Sequence, residues 1–152
     1  MRYLVLSVML LYSLGLSAQN QEDQLTWLTN LEEAKSLSKE QNKTILVYFT
    51  GSDWCSPCKM LKEDFFSTEE FKSASQDLIL VMVDYPRRVD IISQEQLEYN
   101  KGLIDRYNKD GVFPKLLALN ARGKERGMIS GYSSLRDPSS YFAFIGKYLP
   151  AK

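Results

Sequence analysis

The spacing of apolar positions changes along the chain, and these changes predict the order of its elements. Segments 44–50 and 78–84 are nearly continuous runs of apolar, β-branched and aromatic residues, which is typical of strands buried on both faces of a parallel sheet. Helical spacing and capping residues predict helices over 31–42, 56–65 and 93–110, a short one capped within 67–70, and a last one starting at 137–138. Segments 115–119 and 124–132 flank a turn and predict a hairpin.

The resulting order is helix, strand, helix, strand, helix, hairpin and helix. Strands that alternate with helices require right-handed parallel crossovers, whereas a hairpin adds antiparallel strands. The sequence therefore predicts an α/β fold with a mixed central β-sheet flanked by helices on both faces. The domain should span 25–150.

The first residues differ in character from the rest. Met1 and Arg2 give a positive start, residues 4–16 are an uncharged apolar run, and small residues follow at 16–18. This layout predicts a signal peptide over 1–18 and an exported protein, periplasmic or secreted, with no stable membrane span after cleavage. An uncleaved N-terminal anchor is the alternative, although the apolar run is short for a span of about 20 residues.

Composition limits the classes of function. The 152 residues carry a formal net charge of zero, which gives no sign of a nucleic-acid surface or a polybasic membrane patch. The chain has two cysteines and no histidine, which is too few ligands for an ordinary zinc site. The absence of histidine also excludes a Cys–His hydrolase. We expect neither a metal nor a cofactor.

Both cysteines lie in one motif, Trp54-Cys55-Ser56-Pro57-Cys58-Lys59, between a predicted strand and a predicted helix. A disulfide between them would close a very short loop and add little stability, so the pair is better explained by redox reactivity. Cys55 falls at the helix start, where backbone N–H groups favour a thiolate, and is the predicted solvent-accessible nucleophile. Cys58 lies one turn further along and would resolve a mixed disulfide.

The motif, the preceding strand and Val112-Phe113-Pro114 resemble the thioredoxin superfamily, most closely its exported bacterial thioredoxin-like members. The resemblance implies a thioredoxin fold and a thiol–disulfide oxidoreductase that reduces or isomerises protein disulfides. It also implies a cis bond before Pro114, although a proline that opens a strand fits a trans bond as well. Trp54, Phe113 and Pro114 are the expected substrate-binding residues. Partners would be protein thiols and disulfides, with a membrane relay as candidate electron donor.

Two features depart from that pattern. The buried aspartate that thioredoxins proper carry before the motif is replaced by Tyr48, and Asp53 or a water molecule could take over its proton transfer. Segment 85–90 looks like added length, and we expect it to border the active site and to influence partner choice. The alternative for the whole chain is a thioredoxin-fold binding or chaperone module without redox turnover.

Overall fold

The computed structural model describes residues 25–150, so the predicted signal peptide over 1–18 lies outside the described residues. The elements follow the predicted order. The strands are β1 (Thr44–Thr50), β2 (Leu78–Asp84), β3 (Lys115–Leu119) and β4 (Glu125–Ser130). The helices are α1 (Leu31–Gln41), α2 (Ser56–Leu61), α3 (Glu69–Ser75), α4 (Gln94–Tyr107) and α5 (Ser139–Gly146). A single π-helical turn, Lys62–Phe66, continues α2.

The described strands form one sheet in the order β2-β1-β3-β4, and its mixture of parallel and antiparallel strands confirms the prediction of a mixed sheet. β1 and β2 are parallel, with Thr50 opposite Asp84 at their carboxyl ends. β3 is antiparallel to both β1 and β4, and Phe49 lies opposite Lys115. The ends of β1 and β2 and the start of β3 therefore meet at one edge of the sheet.

Successive side chains of the central strands point to opposite faces of the sheet, and they pack into two separate cores, one on each face. On one face Leu46 and Tyr48 pack with side chains from α2, the π-helical turn, α3 and α5. On the other face Ile45 and Val47 pack with α1 and α4. The prediction of helices on both faces is confirmed. Burial of a large apolar side chain contributes about 1.5–3 kcal/mol to the free energy of folding, so each core stabilises the sheet that carries the cysteine turn.

Element ends differ from the prediction where local hydrogen bonds decide them. The hydroxyl of Thr68 accepts the Phe71 N–H, so Thr68 is the N-cap of α3 and Ser67 is not. α4 ends at Tyr107 because Asn108 leaves the helical conformation and its side-chain amide donates to the Val112 carbonyl at 3.0 Å. Among residues 25–150, no helix is both long enough and apolar enough to cross a membrane.

Candidate active site

The two cysteines lie where β1 turns into α2, at the edge where the strand ends meet. Gly51 ends the strand, and its carbonyl accepts the Cys55 N–H at 2.8 Å, which closes the turn. Cys55 is the N-cap of α2, and Pro57 follows within the first helical turn. A disulfide joins Cys55 to Cys58, with their Cα atoms 5.2 Å apart. The predicted pairing across one helical turn is therefore observed.

The sulfur of Cys55 replaces the oxygen of an ordinary helix cap. It accepts the backbone N–H of Cys58 at 3.2 Å, and the Cys55 carbonyl accepts the same N–H at 3.1 Å. After reduction the same N–H would stabilise a Cys55 thiolate more than a neutral thiol, because hydrogen bonds to ionised acceptors are stronger. Lys59 adds a nearby positive charge, and its ammonium group donates to the Asp53 carbonyl at 2.8 Å. The local geometry thus favours the anionic form that attacks disulfides.

The expectation that Cys55 lies exposed does not hold for the closed disulfide. Its exposed fraction is 3%, and that of Cys58 is 2%. Both belong to the core that contains Leu61, and the rings of Trp54 and Phe113 pack against this core. The disulfide turns both sulfurs toward the interior, which the motif alone could not reveal.

The three predicted substrate-binding residues lie together at this edge. The Phe113–Pro114 peptide bond is cis, as the resemblance implied. The rings of Trp54 and Phe113 meet edge to face with their centroids 5.5 Å apart. Gly51 allows this, because a Cβ at that position would lie 2.3 Å from the Trp54 ring. The residues are brought together, and their role in substrate binding stays a prediction.

The loop that follows β2 borders the cysteine turn, as predicted for segment 85–90. The indole N–H of Trp54 donates to the Tyr85 carbonyl at 2.8 Å, and the Tyr85 N–H donates to the Thr50 carbonyl at 2.8 Å. The ring of Tyr85 lies nearly parallel to that of Phe113, with centroids 6.5 Å apart. The Arg87 guanidinium lies 4.8 Å from the centre of the Trp54 ring.

Two carboxylates hold the turn and this loop together. Asp53 accepts the backbone N–H groups of Arg87 at 3.1 Å and Arg88 at 3.0 Å. Desolvation alone would raise the pKa of Asp53, but these hydrogen bonds outweigh it and keep the pKa below its usual value. Asp84 accepts the Ser52 N–H at 2.9 Å and the Ser52 hydroxyl at 2.6 Å. The Asp53 carboxylate is therefore occupied by hydrogen bonds from the loop amides, which argues against the suggested role of Asp53 in proton transfer to Cys58.

Asp84 is a site residue that sequence reasoning missed. Its exposed fraction is 7%, and its backbone carbonyl accepts the side-chain amide of buried Asn100 at 2.7 Å. The available signal was its position, because an acidic residue at the carboxyl end of a parallel strand lies at the edge where ligands usually bind. Asp84 links β2, α4 and the cysteine turn.

A family model described as thioredoxin-like matches residues 26–121. The chain belongs to the thioredoxin-like family. The disulfide bond reductase DsbH of Chlamydia pneumoniae is 37% identical over 94 residues, which are 61% of this chain and 55% of that protein. The thioredoxin-related protein DsbJ of the same organism is 34% identical over 97 residues, 58% of this chain and 28% of DsbJ. The chain thus spans about half, or less, of these curated relatives.

Solved structures place the thioredoxin-like chain in the same fold. A DsbH oxidoreductase matches with a TM-score of 0.71 and 28% identity, covering 91% of this chain and 94% of that one. A disulphide isomerase from Xylella fastidiosa Temecula1 matches with a TM-score of 0.59 and 18% identity, covering 89% and 98%. The second match shows the fold alone. The predicted thioredoxin fold is confirmed.

Tyr48 distinguishes this thioredoxin-like site from those with a buried aspartate. Its hydroxyl donates to the Cys58 carbonyl at 3.3 Å, and its exposed fraction is 3%. Burial raises the pKa of Tyr48 to about 12, against a weaker opposing effect of the hydrogen bond with Thr50. The residue is neutral near pH 7 and cannot accept a proton as a carboxylate would.

A cleft of about 450 Å³ opens beside Cys58. Its apolar lining includes Trp27, Tyr48 and Met82, and Cys58 forms part of the wall. Lys59 lies among its polar lining residues. Since the cleft is open to solvent, it gives water an approach to the Cys58 side of the disulfide.

Proposed function

We propose that this chain is an exported thiol–disulfide oxidoreductase that reduces or isomerises protein disulfides through Cys55 and Cys58. The observation that carries the proposal is the Cys55–Cys58 disulfide at the start of α2, beside the cis-Pro114 segment. A pair at this position can exchange between disulfide and dithiol while the surrounding cores stay packed. Export rests on the sequence pattern over 1–18.

The reaction consists of two thiol–disulfide exchanges. The Cys55 thiolate attacks one sulfur of a substrate disulfide, forms a mixed disulfide and releases the other substrate sulfur as a thiolate. The Cys58 thiolate then attacks the Cys55 sulfur and releases the second substrate sulfur. Two electrons pass to the substrate, and the chain ends with the disulfide seen here. A separate dithiol must reduce it for the next turnover, and a membrane relay is our candidate donor.

The name of one relative supports the reducing direction: the Chlamydia pneumoniae protein that is 37% identical is a disulfide bond reductase. A solved DsbH oxidoreductase, which the chain covers to 94%, supports the oxidoreductase class without giving a direction. Isomerisation needs the same first step, because a substrate thiol can displace Cys55 before Cys58 reacts. Reduction and isomerisation therefore share this site and differ in how long the mixed disulfide persists.

The test compares the wild-type chain with two single variants. Reduced wild type should reduce a protein disulfide, Cys55→Ser should be inactive, and Cys58→Ser should accumulate the mixed disulfide, which mass spectrometry detects. Brief alkylation of the reduced native chain should modify Cys55 before Cys58. Equilibration with glutathione buffers would give the direction, since about 30 mV corresponds to 1.4 kcal/mol for two electrons. Full biological activity of a Cys55→Ser/Cys58→Ser variant would instead identify a binding module.

A further inference from the structure

The loop after β2 is held in one position against the cysteine turn. Asp53 anchors it through the N–H groups of Arg87 and Arg88, and Trp54 anchors it through the Tyr85 carbonyl. These contacts join residues more than 30 positions apart, so the loop and the turn form one surface beside the disulfide. Side chains that project from this loop are therefore available to a substrate bound at Cys55.

The rings beside the disulfide form an apolar wall, defined here as Trp54, Phe113 and Tyr85. Trp54 and Phe113 are half-buried, and Tyr85 is 37% exposed. Val89, further along the same loop, is 88% exposed. Aromatic surfaces of this kind bury large areas at low entropic cost when a partner docks.

Carboxylates and cations around the wall differ in how they are paired. Asp53 is bound to loop amides, Asp84 to Ser52, and Glu63 to Arg136 at 2.8 Å. Arg88 is paired with Asp90, but three other cations have no carboxylate oxygen within 4.0 Å among residues 25–150: Lys59, Lys62 and Arg87. Lys59, Lys62 and Arg87 thus form no direct ion pair among the described residues, while Asp53 keeps its negative charge and interacts electrostatically with Arg87.

Arg87 is the cation placed to act on a bound segment. Its guanidinium lies over the Trp54 ring at 4.8 Å, and its backbone N–H is fixed by Asp53. A cation held over an aromatic face keeps its position at the surface and still has hydrogen-bond donors free for a carboxylate. The apolar wall and Arg87 therefore offer adjacent contacts of different chemistry.

We infer that the preferred substrates are protein segments in which an acidic residue and an apolar residue flank the target cysteine. The acidic side chain meets Arg87, and the apolar side chain packs on the wall of Trp54, Phe113 and Tyr85. The inference rests on the proposed function, because it concerns the substrates of the same disulfide. A charged contact at the rim of a site acts mainly on the association rate and weakens with salt.

The test uses three disulfide-bonded peptides that differ only in whether aspartate, asparagine or lysine stands beside the cysteine. Reduced full-length chain should react with the aspartate peptide about 3–10-fold faster than with the asparagine peptide at low ionic strength, and slowest with the lysine peptide. Added salt should shrink these differences. Arg87→Gln should lower the aspartate-to-asparagine ratio about 2–5-fold, and Arg87→Lys should keep most of it.

Arg122→Gln is the matched control, because Arg122 is exposed in the turn beyond the far end of β3 and should leave the ratio unchanged. Equal rates for the three peptides, or equal effects of the two glutamine variants, would overturn the inference. A charge preference confined to oxidised glutathione and absent from the peptides would overturn it too.

Binding separates this inference from the proposed function. The Cys55→Ser/Cys58→Ser chain cannot exchange disulfides, and its tryptophan fluorescence should still report tighter binding of the aspartate peptide. If no peptide is reduced but this preference is present, the redox proposal fails and the surface assignment stands. If the peptides are reduced but the double variant binds all three alike, the acidic-segment inference fails and the oxidoreductase stands.

Discussion

Replacing Tyr48 by phenylalanine tests the energetics of the site most directly, because it removes one hydroxyl and keeps the ring. The hydroxyl donates to the Cys58 carbonyl at 3.3 Å, a long bond for two oxygens. That carbonyl also accepts the Lys62 N–H, so it keeps a partner in the variant. We therefore expect Tyr48→Phe to cost only about 0.5–1 kcal/mol near pH 7.

At alkaline pH we expect the opposite order of stability, with Tyr48→Phe more stable than the wild type. In the folded chain the pKa of Tyr48 rises from 10.0 to about 12, chiefly through burial. When folding raises the pKa of a group, the free energy of unfolding falls as the pH rises from the pKa in the unfolded chain to the pKa in the folded chain. At about 1.4 kcal/mol per pKa unit, ionisation of Tyr48 costs the wild type roughly 3 kcal/mol over that interval. Tyr48→Phe lacks this loss, so the two stabilities should cross near about pH 10.5.

The assay is urea unfolding of the oxidised chains at several values between about pH 7 and pH 11. Ile79→Val is the matched control: it removes one methyl group from the opposite core and no titrating group, so its difference from wild type should stay near 1 kcal/mol at every pH. A Tyr48→Phe difference that is the same at both ends of the range would refute the proposed burial of the phenol. So would a wild type that remains the more stable chain at about pH 11.

Two further changes probe the surroundings of the disulfide. Gly51→Ala would place a Cβ 2.3 Å from the Trp54 ring, so it should destabilise the chain by about 1–3 kcal/mol. It should also slow disulfide exchange and shift the tryptophan fluorescence. Gly102→Ala in α4 is the control, because its Cβ would meet no neighbouring atom within 4 Å. The hydrogen bond from the Arg136 guanidinium is the main cause of the lowered pKa of Asp64. An ionised Asp64 therefore stabilises the fold above the ordinary aspartate pKa, and this stabilisation is lost as the pH falls. Arg136→Gln should therefore lower the unfolding midpoint at neutral pH and lose less stability than wild type below about pH 4, as thermal unfolding against pH would show.

The parts of the fold that depend on local patterning were predictable to the residue. Strands 44–50 and 78–84 have the predicted ends because long apolar runs stop at polar or glycine residues. Asn30 caps α1 with its side-chain oxygen, as its sequence context indicates. The cysteine pair and its position at a helix start followed from spacing alone.

The parts that depend on distant contacts were not predictable in the same way. Asp53 was a candidate for proton transfer, but its carboxylate binds amides 34 and 35 positions away. Asp84 looked like a strand end, and its contact with Ser52 spans 32 positions. The burial of Cys55 depends on which rings pack beside it, a tertiary property. No periodicity records such pairings, because each one is set by the sheet register and by the path of a loop.

The use of carboxylates for positioning has a consequence for the chemistry of Cys58. Asp53 holds the loop, Asp84 holds the cysteine turn, and Glu63, which lines the cleft, is paired with Arg136. Tyr48, at the position where thioredoxins proper have their aspartate, is neutral up to about pH 12. Water in the cleft is then the acceptor best placed to take the thiol proton when Cys58 resolves a mixed disulfide. Because these carboxylates hold the loop, the cysteine turn and Arg136, we expect slow deprotonation of Cys58 and a longer-lived mixed disulfide, the condition that lets isomerisation compete with reduction.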